Sequence, residues 1–313
     1  MTWNPASPPD QSGRTVVVTG ATAGIGYFAA EQLAAAGAHV VLASRSRAKL
    51  RAAENAIRTR TPDASISSVV VELGSLASVD DAASELAALP RLDGIFLNGG
   101  AMTMSRVETT DDGHPVLLGT HVIANVRLLA GILPSMAATA AAHGGVGRVV
   151  HASTGFVARF SFGLDDLRRV PQTGIGAYTK AKTATEVFAF ELDRRLRAGG
   201  LPVASIVTRP GVGVDAKTPH RPGIRDSTTP YRRNPYTPWA QGKDSAAWAA
   251  VRALTDPAAQ GGDYYSPSGA LRGDPVAVRP VARTAAPADG SAGRVWEQLE
   301  ELAGVRLRMP SAV

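Results

Sequence analysis

The chain of 313 residues contains no cysteine. Disulfides, thiolate nucleophiles and cysteine-ligated zinc are therefore excluded. The sequence also lacks a run that approaches the roughly 18 apolar residues of a membrane span, so no span is expected. The opening stretch, MTWNPASPPDQSGR, has no basic-then-apolar pattern, so a secretory signal is not expected and a cytoplasmic location is. The six histidines (His39, His114, His121, His143, His151 and His220) have neither the HxxxH nor the carboxylate spacing of a metal centre. No GxSxG elbow occurs, and GATAGIG lacks the Lys-Ser/Thr of a P-loop. The basic excess of +6 is scattered, apart from RSRAKLR and PHRPGIRDSTTPYRRNP. A nucleic-acid surface would gather its charge on one face, so no such partner is expected.

What is present is a rhythm. Short β-branched runs (TVVVTG, HVVLAS, SISSVVVEL, LDGIFLNG, GRVVHAST and PVASIVTRP) alternate with helical stretches. Continuous apolar strands separated by helices predict an α/β, doubly wound, Rossmann-type fold, with a parallel sheet covered by helices on both faces. Ligands in such a fold sit at the carboxyl ends of the strands. Residues 1–12 read as an N-terminal tail and 13–313 as a single domain. After residue 211 the rhythm breaks into a Pro-, Arg- and aromatic-rich segment, and residues 212–242 are expected to form a substrate lid. A helix, then GGDYYSPSG as a short final strand and a last helix complete the chain.

TGATAGIG, Thr19 to Gly26, follows the first strand and opens the first helix. Gly20 permits a sharp turn, Gly24 and Gly26 permit close approach of a pyrophosphate, and the helix start around Thr22, Ala23 and Ile25 offers amides to it. The second strand ends in Ser44, Arg45 and Arg47, where a carboxylate would recognise a free ribose 2′-hydroxyl. Cations there suit a 2′-phosphate, so NADPH/NADP+ is expected over NADH/NAD+.

Further along, Tyr178 and Lys182 stand one helical turn apart in GIGAYTKAKTATEVFAFEL. The Lys182 ammonium, joined by the charge of an oxidised nicotinamide, is expected to lower the phenol pKa from about 10 and suit Tyr178 to proton exchange. Lys180, two positions along the helix, is expected to face solvent.

These motifs, in this order, resemble those of the short-chain dehydrogenase/reductase superfamily from end to end. The resemblance is strongest to its retinol-dehydrogenase-like branch, through ASRSRAKL, the long segment between Thr154 and Tyr178, and the C-terminal GGDYYSPSG…GDP…VWEQLEELAGV. It implies that Tyr178 is the general acid in reduction and general base in oxidation, and that Lys182 tunes it and holds the nicotinamide ribose. It places Glu72-Leu73 against adenine, puts Asn98, Gly99 and Gly100 at the altered NNAG strand end, and sets Pro210 and Gly211 beside the nicotinamide.

Three positions depart from the family pattern. Thr154 stands where the superfamily keeps its catalytic serine. Ser153 is the alternative after a one-residue shift, but successive strand side chains point to opposite faces. His121 replaces the helix-bending asparagine and reads either as a buried hydrogen-bonded residue or as part of a proton relay. Leu97 replaces a polar anchor.

Phe156, Phe160 and Phe162, with Tyr231, Tyr236 and Trp239 of the lid, suggest an apolar, ring-containing carbonyl or alcohol substrate. Arg221, Arg225, Arg232 and Arg233 are candidates for an acidic substrate group. The best expectation is an NADPH-dependent carbonyl reductase or alcohol dehydrogenase, either monomeric or homo-oligomeric. A dinucleotide-binding sensor without turnover, and a non-redox cyclase or dehydratase, remain open.

Overall fold

In a computed structural model of the chain, residues 3–101, 103, 108–224, 237–287 and 290–309 are described. The β-branched runs form strands β1 (Thr15–Thr19), β2 (His39–Ser44), β3 (Ile66–Val70), β4 (Gly94–Leu97), β5 (Gly147–Ala152) and β6 (Val203–Thr208), followed by β7 (Tyr264–Pro267) and β8 (Pro275–Ala277). Between them lie α1 (Gly24–Ala35), α2 (Arg47–Arg60), α3 (Leu76–Ala87), α4 (Val116–Leu118), α5 (Ala124–His143), α6 (Phe156–Arg159) and α7 (Gly174–Ala198). Helices α8 (Lys243–Ala246), α9 (Trp248–Thr255), α10 (Ala282–Ala285) and α11 (Ser291–Ala303) complete the set. One eight-stranded sheet runs β3-β2-β1-β4-β5-β6-β7-β8. Strand order reverses between β1 and β4, which opens a crevice at their carboxyl ends.

Both faces of the sheet are covered, as the continuous apolar strands require. Val17, Ile95 and Val149 point into a core shared with α3, α5, α7 and α11. Val16, Val18 and Val150 point into a second core under α1, α2 and α9. In the first, Trp296 of α11 stacks on Phe188 of α7 at 5.2 Å between ring centroids.

The structure departs from the sequence reading in several places. GGDYYSPSG is not the final strand: β8 follows and pairs antiparallel to β7. The presumed tail is anchored, with Trp3 buried and its indole N–H donating to Thr255 Oγ1 at 2.9 Å. The expectation of no membrane-length segment is also corrected. The helical stretch Val116–His143 is long and apolar enough to cross a membrane, although 78% of its most apolar window is buried inside the protein. A wide π-type turn at Gly119–Ile123 joins α4 to α5 and carries His121. Of the expected lid, 212–224 and 237–242 are described; Tyr231, Tyr236, Arg225, Arg232 and Arg233 lie outside the described residues.

Candidate active site

The glycine motif forms a cradle at the crevice. Gly20 and Gly24 adopt positive φ, +68° and +57°, which side chains with a Cβ resist. Elsewhere in the cradle the limit is space. A Cβ on Gly26 would lie 2.5 Å from both Gly20 O and Asn98 Nδ2, and one on Gly99 would lie 2.7 Å from Leu73 Cδ1. Ala23 caps α1 without a side-chain hydrogen bond, which leaves the helix start open to an anion. The adjoining cavity has a volume of about 170 Å³ and is lined by Gly20, Ser44, Arg45, Glu72, Leu73 and Gly99, among others. A dinucleotide fits this donor set: backbone amides for the pyrophosphate, and Ser44 and Arg45 at one end.

Arg45 is exposed at the cavity edge, with Nη1 3.6 Å from Glu72 Oε2. Arg47 is exposed at the start of α2, and Ser44 Oγ lies 3.3 Å from Thr22 Oγ1. The Asn98 side chain braces the cradle, its Nδ2 donating to Thr19 O at 3.1 Å. Leu97 has joined the apolar core and is 2% exposed. Pro210 O accepts from Gln241 Nε2 at 2.9 Å, and a Cβ on Gly211 would meet Leu271 O at 2.4 Å, so the RPG loop is closely packed.

The second half of the site is built on α7. Thr173 caps this helix, its Oγ1 accepting from Gly176 N at 3.0 Å. That start sets Tyr178, Lys182 and Glu186 at intervals of four, along one stripe. Tyr178 is partly exposed, and Lys182 is buried with Nζ 5.9 Å from the phenol centroid. Nζ donates to Ala152 O at 2.6 Å, which pins the lysine to the end of β5. Burial pushes Lys182 down to about 8, partly opposed by the Glu186 charge.

The sequence reading expected the Tyr178 phenol to be acidified by its lysine. In the structure burial dominates and pushes it up to about 12, so the phenol keeps its proton at neutral pH. His121, on the wide turn, stands edge-on to Tyr178. Its Nε2–H donates to Ala101 O at 3.0 Å, while Nδ1 is buried without a partner among the described residues. Burial, reinforced by the Lys182 charge, holds this imidazole down to about 3, so it is neutral.

Thr154 is partly exposed just beyond β5, and its Oγ1 accepts weakly from Phe156 N at 3.4 Å. Ser153, the alternative, is removed from the site. It is 3% exposed and donates to Glu186 Oε1 at 2.5 Å, inside the protein. Lys180 is not solvent-facing either. It is 5% exposed, and Nζ donates to Asp166 O at 2.6 Å and Arg169 O at 2.7 Å. The segment between β5 and α7 folds over that side of the helix.

Of the aromatic candidates, Phe162 reaches α7: its Cζ would lie 3.3 Å from a Cβ on Gly176. Phe160 and Trp239 are exposed. Arg221 does not offer itself to a substrate, because its guanidinium is committed to Glu31 with Nε–Oε2 at 2.6 Å.

A family model described as short chain dehydrogenase matches residues 14–221, which span the glycine cradle and the Tyr178–Lys182 helix. The chain belongs to the short-chain dehydrogenase/reductase family. Polyprenol dehydrogenase of Mus musculus is 34% identical over 67% of this chain and 63% of its own length. Retinol dehydrogenase 13 of Homo sapiens is 30% identical over 69% of this chain and 63% of its own length. The chain thus spans less than two thirds of the length of these curated relatives. A crystal structure of an uncharacterized protein from Mycobacterium paratuberculosis superimposes with a TM-score of 0.77 at 25% identity, covering 98% of this chain and 100% of that one. Within that family the chain lies on the retinol-dehydrogenase-like side.

The sequence reading missed Glu186. It is 0% exposed and accepts hydrogen bonds from Ser153, Tyr264 and Thr284. Its signal was present as the spacing Tyr178-xxx-Lys182-xxx-Glu186, a carboxylate one further turn along the same helical stripe.

Proposed function

We propose that this enzyme transfers hydride between NADPH/NADP+ and the carbonyl or alcohol carbon of an apolar, ring-containing small molecule. The observation that carries the reading is the protonated, partly exposed Tyr178 phenol beside buried Lys182, on the helix facing the end of β5. A bound dinucleotide supplies or receives the hydride. In reduction, Tyr178 gives its phenolic proton to the carbonyl oxygen as that oxygen gains the electron pair of the C=O π bond. The Lys182 ammonium stabilises the phenolate left behind. The Thr154 hydroxyl donates to the same substrate oxygen and orients it. The reverse direction uses the phenolate as base.

Preference for NADPH is supported by Ser44, Arg45 and Arg47 at the end of β2, where a 2′-phosphate would meet cations rather than an acid. The apolar substrate class is supported by Phe162 against α7 and by two relatives named for polyprenol and retinol. The test is loss of reduced-nicotinamide absorbance with a panel of bulky ketones, wild type against Tyr178→Phe. Turnover by wild type that falls at least a hundredfold in the variant supports the reading. Dinucleotide binding without turnover across the panel would replace it with a sensor, and product formed without NADPH oxidation with a cyclase or dehydratase.

A further inference from the structure

Glu186 sits in the protein interior with no exposure at all, yet it is surrounded by donors. Oε1 accepts from Ser153 Oγ at 2.5 Å and Tyr264 OH at 3.0 Å, and Oε2 lies 2.8 Å from Thr284 Oγ1, whose one hydroxyl proton is shared with Val281 O at 2.9 Å. These hydroxyls come from the end of β5, from β7 and from α10, so three separate elements converge on one carboxyl group. A buried polar side chain is costly unless its hydrogen bonds are made, and here they are. Burial pushes the Glu186 carboxyl up from the usual carboxylate range, and the hydroxyl donors together with the Arg209 charge oppose that rise. Donors aimed at both oxygens suit the ionised form, which only accepts.

Lys182 supplies the reason for a charge there. Its ammonium is 3% exposed, one turn back along α7, and its Nζ is held by the Ala152 carbonyl. Ser153 adjoins Ala152, so the bond from Ser153 to Glu186 also fixes the strand end that presents this carbonyl. We infer that Glu186 is a positioning residue that acts through Lys182: its carboxylate, gripped by Ser153, Tyr264 and Thr284, is the buried counter-charge that keeps the Lys182 ammonium protonated beside Tyr178. The inference rests on the proposed acid-base role of Tyr178 and Lys182.

Other titratable groups face this pair. His121 comes from the wide turn, Tyr178 from α7 itself, His151 from β5, Arg209 from the loop after β6 and Tyr264 from β7. Both histidines are neutral, held down to about 3 by burial. Tyr264 is pushed upward by burial and by Glu186 and stays protonated. The Arg209 guanidinium donates Nε–H to Ser266 Oγ at 2.7 Å, and its charge pulls both Glu186 and Tyr264 downward. Among these described groups Glu186 is the carboxylate, and its charge opposes the downward shift of Lys182.

The test is NMR titration of the lysine ε-carbons in the protein without dinucleotide, with Lys182 identified by loss of its signal in Lys182→Met. In Glu186→Gln, which keeps the shape of the side chain, the Lys182 midpoint is expected to fall by about one pH unit or more, a tenfold loss of protonated lysine. With NADPH and a ketone, the alkaline limb of the kcat profile is expected to move down in pH by the same amount. Glu186→Asp is expected to restore part of both shifts. A folded Glu186→Gln protein with an unmoved Lys182 midpoint would overturn the inference, because a purely structural role lowers activity without shifting that titration. If Glu186→Gln does not fold, the wild-type protein decides: the Glu186 carboxyl must lose its proton at lower pH than Lys182 does, and the opposite order overturns the inference. Failure of the oxidoreductase reading would show separately, as wild-type protein that oxidises no NADPH while these titrations remain readable.

Discussion

The imidazole of His121 stands edge-on to the phenol of Tyr178, with ring centroids 5.4 Å apart and planes at 80°. One ring nitrogen is spent on Ala101 O, and the other, Nδ1, is buried with no hydrogen-bond partner among the described residues. A histidine in that setting is a spacer and a latent acceptor more than a charge. Burial and the Lys182 ammonium both oppose its protonation, so it faces Tyr178 as a neutral ring. The Nδ1 lone pair is the feature that keeps a relay role chemically open.

That neutrality carries a cost in acid. The folded-state pKa values of His121 and His151 lie at about 3, below the ordinary 6.5. Between those limits the unfolded chain binds more protons than the folded one, so stability rises with pH across the window and is lost as pH falls from 6.5 towards 3. Each histidine adds a slope of up to about 1.4 kcal/mol per pH unit. His121→Asn is expected to remove one such contribution and flatten the acid limb by about that amount. Denaturant unfolding at a series of acidic pH values measures it, and an unchanged slope would show that His121 is not one of the responsible groups.

The fold was largely legible because its strands are short β-branched runs such as Thr15–Thr19 and His39–Ser44, buried on both faces. Ser46 and Thr173 cap α2 and α7 with their hydroxyls, a detail the sequence reading did not use. Long-range covering was not legible. Lys180 was expected to face solvent from helix geometry alone, but geometry only says that it points away from Tyr178. Which segment covers that side depends on the carbonyls of Asp166 and Arg169, and no local pattern reveals them. The same holds for Trp3, whose partner Thr255 lies at the other end of the chain. At the site, the motifs gave the residue identities of the acid-base pair but not the balance of forces on it. The sign of the Tyr178 shift depends on burial, which the sequence pattern did not disclose.

Arg45 offers a clean test of the 2′-phosphate reading. Its guanidinium is exposed and lies near Glu72, so it is available to a phosphate at modest cost. A charge-assisted contact of this kind contributes about 1.5–3 kcal/mol, or roughly ten- to a hundredfold in affinity. Arg45→Ala is therefore expected to weaken NADPH binding by about that factor and NADH binding far less. Calorimetric titration with each dinucleotide measures the difference, and equal losses for the two would count against the assignment.

Thr154 and Ser153 should respond differently to substitution. Thr154 borders the site, and its methyl group is expected to crowd the approach to its hydroxyl. Thr154→Ser removes the crowding and keeps the donor, so kcat is expected to rise severalfold. Ser153→Ala deletes a donor to a buried carboxylate, and a loss of about 1–3 kcal/mol in stability is expected. Steady-state kinetics and denaturant unfolding, run on both variants, separate the roles. A drop in kcat for Thr154→Ser would show that the threonine methyl assists positioning.

Gly100 joins the dinucleotide cradle to the acid-base centre. A Cβ at this position would lie 2.0 Å from His121 Cε1 and 2.1 Å from Nδ1, well inside contact distance. Gly100→Ala must therefore displace either the ring beside Tyr178 or the backbone that borders the cavity. Overpacking of this kind costs about 1–3 kcal/mol, and dinucleotide affinity is expected to fall with stability. Replacing the imidazole makes room, so in a His121→Ala background the same glycine substitution should cost less. The expected coupling between the two sites is about 0.5–3 kcal/mol in the relieving direction, read from unfolding of the wild type, both single variants and the double. Strict additivity would place the added methyl somewhere other than against the imidazole, and the link between cradle and centre would then run through different atoms.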